Sequence, residues 1–350
     1  GPGTGKTMTL THRIAYLIHA GLAEPEQILA LTFTRKAAKE MEQRVAKLLG
    51  SKSNQVYIAT FHRLCLKILR NEGSRMGIPS NFTICSEADR ENLVKKVLSE
   101  CDAGKYSIRS FLKIVPAIKT ASVLETAKGP FDHEAFSLLE KYQRKLKDLD
   151  MLDLDDLQVE TLRLLGKFPE ALNAYGSMFP WIFVDEYQDT NPVQAALLKM
   201  LVQAKDGNLC AIGDPDQAIY SFRGADIENF HSFNQDFPGA GKVILTRNYR
   251  STKAILKGAA VLMGKERPLQ CESSGKHLTQ LASCRTESEE AEMIVEQIER
   301  LMGGTSYFSF DSGRTASHEG DLTLGFSDIG VLYRLNAQGD ALADALDRAG

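Results

Sequence analysis

The chain has 350 residues, 43% hydrophobic and 25% charged, with a net charge of −3. These proportions suit a globular protein of two or three domains, and no apolar run approaches the ~18 residues a membrane span needs. A pI of about 6.2 gives no bulk electrostatic support for a nucleic-acid partner. Six scattered cysteines, with no C-x-x-C and no histidine at zinc spacing, read as free thiols in a reducing compartment, so a cytoplasmic protein is expected.

The chain opens on Gly1-Pro2-Gly3-Thr4-Gly5-Lys6-Thr7, a glycine-rich turn heading the amphipathic run Met8–His19. Backbone N–H groups in such a loop, with the N-terminus of the next helix, cradle phosphates. Lys6 is placed to reach the β- and γ-phosphates of a nucleotide, and the Thr7 hydroxyl to bind Mg²⁺. The full phosphate-loop pattern has one more small residue, which would precede Gly1, and a strand before that. The chain is therefore expected to be a piece of a longer one.

Short β-branched and apolar runs then alternate with helical patterns. The spacing predicts strands at Ile28–Phe33, Val56–Ala59, Trp181–Val184, Leu209–Ile212, Lys242–Leu245 and Ile329–Tyr333. Most lead into a polar or glycine-containing turn and then a helix, which argues for an α/β domain with a mainly parallel sheet. Ligands in such sheets bind beyond the carboxyl ends of the strands. Over Arg35–Leu49 the apolar residues Ala37, Ala38, Met41, Val45, Leu48 and Leu49 form one helical stripe, closed by Gly50. From about Ser86 to Leu149 strand patterns vanish, and a helical insertion into the α/β domain is expected. A helix is predicted over Glu287–Met302, with Thr286 and Glu289 as a capping box and Gly303-Gly304 as its stop. Residues 303–325 read as a long loop or hairpin.

Asp185-Glu186 follows the predicted strand Trp181–Val184. A carboxylate at that strand end can hold Mg²⁺. The next one is placed to orient and deprotonate an attacking water.

At these residues the sequence resembles the superfamily-one DNA helicases of the UvrD, Rep and PcrA type. Asp185-Glu186-Tyr187-Gln188-Asp189-Thr190-Asn191 is similar to their second motif. The run from Gly213-Asp214-Pro215-Asp216-Gln217 to Tyr220-Ser221-Phe222-Arg223-Gly224-Ala225-Asp226 is similar to their third, and Leu245-Thr246-Arg247-Asn248-Tyr249-Arg250-Ser251 to their fourth. Leu31–Ala38 and Ala59-Thr60-Phe61-His62 resemble two DNA-facing motifs, and Met151–Leu157 the segment returning from the helical insertion. The matches run in family order over essentially the whole chain.

The resemblance implies a RecA-like P-loop NTPase domain over residues 1–251, interrupted by a helical insertion at about 86–150. Half of a second RecA-like domain over 252–350 is implied to follow. Lys6, Asp185, Glu186, Gln217 and Arg250 would be catalytic. The loop Gly1, Pro2, Gly3, Thr4, Gly5, Lys6, Thr7 would bind ATP, with Tyr249 stacked on adenine, and Thr7 and Asp185 would hold Mg²⁺. Gln217 and Arg250 would contact the γ-phosphate. Phe33 and Phe222 would stack on bases of single-stranded DNA, with Thr60, His62, Tyr220 and Arg223 lining the track. For Phe33 a buried core position is the alternative. Met8 stands where many relatives have Arg, Phe222 where Trp is common, and Arg35 where Asn is frequent. The implied activity is ATP-driven 3′-to-5′ movement on single-stranded DNA with duplex unwinding at junctions, in DNA repair or replication restart. Two alternatives stay open: the helicase part of a helicase–nuclease fusion, and an ATP-gated DNA-binding module that does not unwind. The family's fifth and sixth motifs are not met before Gly350, so the chain alone is expected to be inactive.

Overall fold

In the computed structural model, which describes residues 1–101, 105–124, 131–205, 207–265, 269–273, 275, 279–302 and 325–349, the chain forms two units, Gly1–His277 and Leu278–Gly350. Strands β1 (Ile28–Thr32), β2 (Tyr57–Thr60), β3 (Thr83–Ile84), β4 (Met151–Leu152), β5 (Trp181–Val184) and β6 (Asn208–Ala211) follow one another along the first unit. Four of them make a sheet in the order β2-β1-β5-β6, parallel throughout. Four predicted strands thus fall within a residue or two of their expected bounds.

The helices of this unit include α1 (Lys6–His19), α2 (Arg35–Leu49), α3 (Phe61–Glu72), α4 (Glu87–Glu100), α5 (Ile108–Val123), α6 (His133–Asp148), α7 (Leu154–Lys167), α8 (Pro169–Met178) and α9 (Pro192–Gln203). Side chains of a strand alternate between faces, and both faces of this sheet are covered. Ile28, Ala30, Ile58 and Phe183 pack with Leu10 and Ile14 of α1 and Met41 and Val45 of α2. Leu29, Leu31, Ile182 and Val184 pack with Leu64 and Ile68 of α3, Leu164 of α7 and Leu197 of α9. A parallel sheet buried on both sides needs near-continuous apolar strands, as this sequence supplies. Helix α2 starts where the Thr34 hydroxyl accepts the Ala37 N–H at 3.1 Å and ends at Gly50 with φ 60. Ala38, Met41, Val45 and Leu49 are its buried stripe, while Ala37 and Leu48 are half-buried.

The helical insertion has its own core, including Val94, Val97, Phe111, Val115, Ile118, Leu138 and Tyr142. Its entry and exit are tied by the parallel pairs Thr83↔Met151 and Ile84↔Leu152. It is also joined to α7 by a buried charge network. Lys119 Nζ donates to Asp153 at 2.6 Å and to Asp156 at 2.7 Å, with all three side chains buried. Asp153 also accepts from the Tyr142 hydroxyl at 3.0 Å, and Asp156 from the Gln143 amide at 2.7 Å. Asp153 and Asp156 exchange backbone N–H bonds as a capping box at the start of α7.

Two predicted strands do not form. Residues 242–245 have no strand neighbour among the described residues, and Val243 and Ile244 are exposed. The pairing falls instead two residues later, where Arg247–Asn248 runs parallel to Gln270–Cys271. Residues 329–333 likewise pair with nothing among the described residues. Apolar alternation marks the capacity for a strand, and a neighbour's backbone must complete it. In the second unit, the helix Glu287–Leu301 packs on Asn336–Ala349 through Ala291, Val295, Leu342 and Ala345. Thr286 caps it by accepting the Glu289 N–H at 3.1 Å. The box is not reciprocal as predicted, because the Glu289 carboxylate accepts from the Arg285 N–H one residue earlier. The predicted stop at Gly303-Gly304 and most of the loop over 303–325 lie outside the described residues.

Removing one partner of a buried ion pair leaves the other charge uncompensated, at about 3–5 kcal/mol. Lys119→Met is expected to destabilise the first unit by that order, read as a lowered denaturant midpoint at constant m-value.

Candidate nucleotide site and nucleic-acid face

Every strand of the four-stranded sheet ends on the same edge, and most of the predicted site residues follow those ends. The phosphate-type loop stands there at the head of α1. Gly3 has φ 66 and Gly5 φ 80, both left-handed. A Cβ at Gly3 would lie 2.7 Å from Asn248 Nδ2 and 2.7 Å from Arg250 Cβ, so only glycine fits. No side chain caps α1, which leaves the N–H groups of its first turn free for an anion.

The loop faces the end of β5. The Thr7 hydroxyl donates to Asp185 Oδ2 at 2.9 Å, and the Asp185 carboxyl is pushed up from its ordinary value by burial. Among the described residues, no group of three or more His, Cys, Asp or Glu could hold a metal. A hydroxyl beside a carboxylate suits Mg²⁺, which keeps several waters and resists an all-protein cage. Glu186 adopts φ 53 and ψ 49, a left-handed conformation uncommon for a side chain of this size. Its carboxylate accepts from Gln188 Nε2 at 2.9 Å.

Lys6 Nζ lies 3.5 Å from Asp214 Oδ2, and both side chains are buried or nearly so. Gln217 Nε2 donates to the same carboxylate. Burial alone would push the Asp214 carboxyl up, but the Gln217 amide and the charges of the Gly1 ammonium and Lys6 hold it below the ordinary range. The loop carrying Tyr249 and Arg250 is fastened to the phosphate loop: the Tyr249 N–H donates to the Gly3 carbonyl at 2.9 Å, and Asn248 Nδ2 to the Pro2 carbonyl. Asn248 Oδ1 accepts from the N–H groups of Arg250 at 3.0 Å and Ser251 at 2.7 Å. Tyr249 and Arg250 are exposed at this edge.

On the same sheet edge, the Phe33 ring lies 4.9 Å from the Tyr220 ring, and Tyr220 lies 6.0 Å from Phe222. The Arg223 guanidinium lies 5.5 Å from both the Tyr220 and Phe222 ring centres. Phe222 is 74% exposed and Phe33 half-buried, so neither is an enclosed core residue. Thr60 and His62 flank the end of β2 but are held by other partners. The Thr60 hydroxyl caps α3 by accepting the Arg63 N–H at 3.3 Å, and His62 Nε2 lies 2.7 Å from Gln158 Nε2.

Four residues without an assigned role in the sequence reading prove central. Gln188 is buried and accepts the Asp214 N–H at 2.8 Å while donating to Glu186. Gly213 permits this approach, since a Cβ there would meet Gln188 Oε1 at 2.7 Å. Asn248 is fully buried and Gln158 nearly so. Each polar side chain here bridges segments far apart in the chain, which no local pattern encodes.

Asp189 adds a testable electrostatic feature. It is buried, Oδ1 has no partner, and burial with the nearby Glu186 charge pushes its carboxyl up to about 6. A folded-state value above the unfolded one means that stability falls as pH rises from about 4 to 6. Asp189→Asn removes that ionisation and is expected to stabilise the nucleotide-free protein by about 1–2 kcal/mol at pH 7. The gain should vanish below pH 4, where both carboxyl states are protonated. Thermal melts across this range check it.

Comparison with known proteins agrees with this geometry. Residues 1–238 match the UvrD/REP helicase N-terminal domain. The chain is 38% identical over 98% of its length to the ATP-dependent DNA helicase PcrA of Staphylococcus epidermidis, and 37% identical over 98% to that of Staphylococcus aureus. It covers 46% of each, so it spans about half the length of these curated relatives. The chain belongs to the UvrD/REP helicase family.

Proposed function

We propose that the protein is an ATP-dependent DNA helicase and translocase, acting on single-stranded DNA and duplex junctions and moving 3′ to 5′. One juxtaposition carries this reading. A phosphate loop facing a strand-end carboxylate pair shares a sheet edge with an exposed aromatic and cationic stack. Base stacking on aromatic faces tolerates any sequence, as a moving motor requires. The assignment of residues 1–251 to the ATP-binding motor domain and of 252–350 to part of a second RecA-like domain belongs to the same proposal, as does a cytoplasmic location.

In this mechanism the loop N–H groups and Lys6 hold the β- and γ-phosphates in line. Thr7 and Asp185 would hold Mg²⁺, which would neutralise charge on the phosphate oxygens. Glu186 takes the proton of the attacking water. Tyr249 stacks on the adenine, while Gln217 and Arg250 approach the γ-phosphate from the loops after β6 and after residue 245.

Phosphate release by the full-length protein, with and without single-stranded DNA, tests the motor. Strand separation on 3′- and 5′-tailed duplexes tests direction. Glu186→Gln is expected to lower turnover ~10²–10⁴-fold while ATP affinity survives. Loss of both together would make Glu186 a binding residue. Phe222→Ala is expected to weaken single-stranded DNA binding by ~1–3 kcal/mol in a titration, with DNA-independent turnover little changed.

A further inference from the structure

Gln158 lies on α7, between His62 at the nucleic-acid face and Asn191 just beyond the Asp185-Glu186 segment. The direction of every hydrogen bond in this chain follows from one backbone donor. Asn191 Oδ1 accepts the Gln194 N–H at 2.8 Å, so Asn191 Nδ2 faces away from it. That amide nitrogen lies 2.9 Å from Gln158 Oε1, which must accept. Gln158 Nε2 is thereby turned to His62 Nε2 at 2.7 Å, and must donate. His62 Nε2 is therefore the bare nitrogen, and the ring proton sits on Nδ1.

The His62–Gln158–Asn191 relay has no slack. Gln158 is 5% exposed, so an unpaired amide there cannot turn to water. Its helix cannot slide, because the first turn of α7 is pinned by the Asp153–Asp156 box and by Lys119. At the other end, the Thr190 carbonyl next to Asn191 accepts from the Asp226 N–H at 3.0 Å and the Asn229 amide at 2.9 Å, just after the Tyr220–Arg223 stack. A turn of the His62 ring takes away the acceptor of Gln158 Nε2. If the Gln158 amide flips to follow, it sets its own NH₂ against Asn191 Nδ2, donor to donor.

We propose that Gln158 is a positioning residue that couples His62 to the segment carrying Glu186, making DNA contact at β2 felt at the ATP site. The proposal rests on the motor reading above. A buried amide that cannot reorient at one end without losing its hydrogen bond at the other ties the two ends energetically, which is the physical link such coupling needs.

The test uses the full-length protein and Gln158→Met, which keeps the volume and removes both hydrogen bonds. Nitrogen NMR of the His62 ring, assigned through His62→Gln, should show the native proton on Nδ1 and a shift of the proton toward Nε2 in the variant. The ratio of DNA-stimulated to unstimulated ATP turnover should fall roughly tenfold, with KM for ATP and the melting temperature retained. A native ring protonated on Nε2 overturns the relay whatever the protein's activity. Stimulation kept in the variant overturns the coupling. So does a joint loss of stimulation, KM and melting temperature, which would make Gln158 merely structural. Native turnover that DNA does not stimulate overturns the motor reading and the coupling with it, and the ring measurement then judges the hydrogen-bond chain separately.

Discussion

The register of β5 between β1 and β6 is the constraint on which the rest of the site depends. Leu31 pairs with Val184, and Val184 with Ala211. This sets Phe33, Asp185 and Asp214 at one edge of the sheet. A slip of one residue would turn Asp185 to the opposite face. The strand's own pattern cannot prevent this, because both faces of β5 are buried and apolar. The lock lies just past the strand ends. The Asp185 N–H donates to the Leu31 carbonyl at 3.0 Å, Ile212 N–H to Val184 at 2.9 Å and Tyr187 N–H to Ile212 at 2.9 Å. Backbone bonds just past the strand ends thus carry the same register into the loops.

Asp185, Glu186, Asp189 and Asp214 crowd this edge, where Lys6 and the Gly1 ammonium lie 3.5 and 3.6 Å from Asp214 Oδ2. Burial first, and then the charge of Glu186, push the Asp185 and Asp189 carboxyls up from their ordinary values. Asp214 escapes because the Gln217 amide, the Gly1 ammonium, Lys6 and the Asp216 N–H converge on it. The same carboxylate holds both Lys6 of the phosphate loop and Gln217, which stands three residues before Tyr220. The phosphate-type loop and the aromatic stack are therefore joined through a single short segment of chain.

Much of this was legible in sequence because the chemistry restricts which residues can do it. A phosphate loop needs Gly-Lys-Thr, a carboxylate pair needs a strand to carry it, and an amphipathic stripe such as Ala38, Met41, Val45 and Leu49 needs one buried face. What was not legible depends on partners distant in the chain. Residues 242–245 have strand chemistry without a strand neighbour. Lys119 finds its partners only when α7 supplies Asp153 and Asp156. Phe33 was open between core and stacking, and its ring is half-buried and lies against Tyr220. Asn248 looked like one letter of a motif, yet its buried amide holds Arg250 and Tyr249 against the phosphate loop.

Glu186 shows how much of this scaffold serves one side chain. Its left-handed backbone costs of order 1–3 kcal/mol and persists only where the surroundings over-determine it. The Glu186 N–H is held by Asp185 Oδ1 at 3.1 Å, its carbonyl by the Asp189 N–H at 2.9 Å and its carboxylate by Gln188. Gln188 in turn reaches the Asp214 backbone only because Gly213 has no side chain. A relaxed Glu186 would direct its carboxylate along a different vector from the end of β5. The backbone strain at that position is thus matched by a buried amide, a glycine on the neighbouring strand end and the register that brings them together.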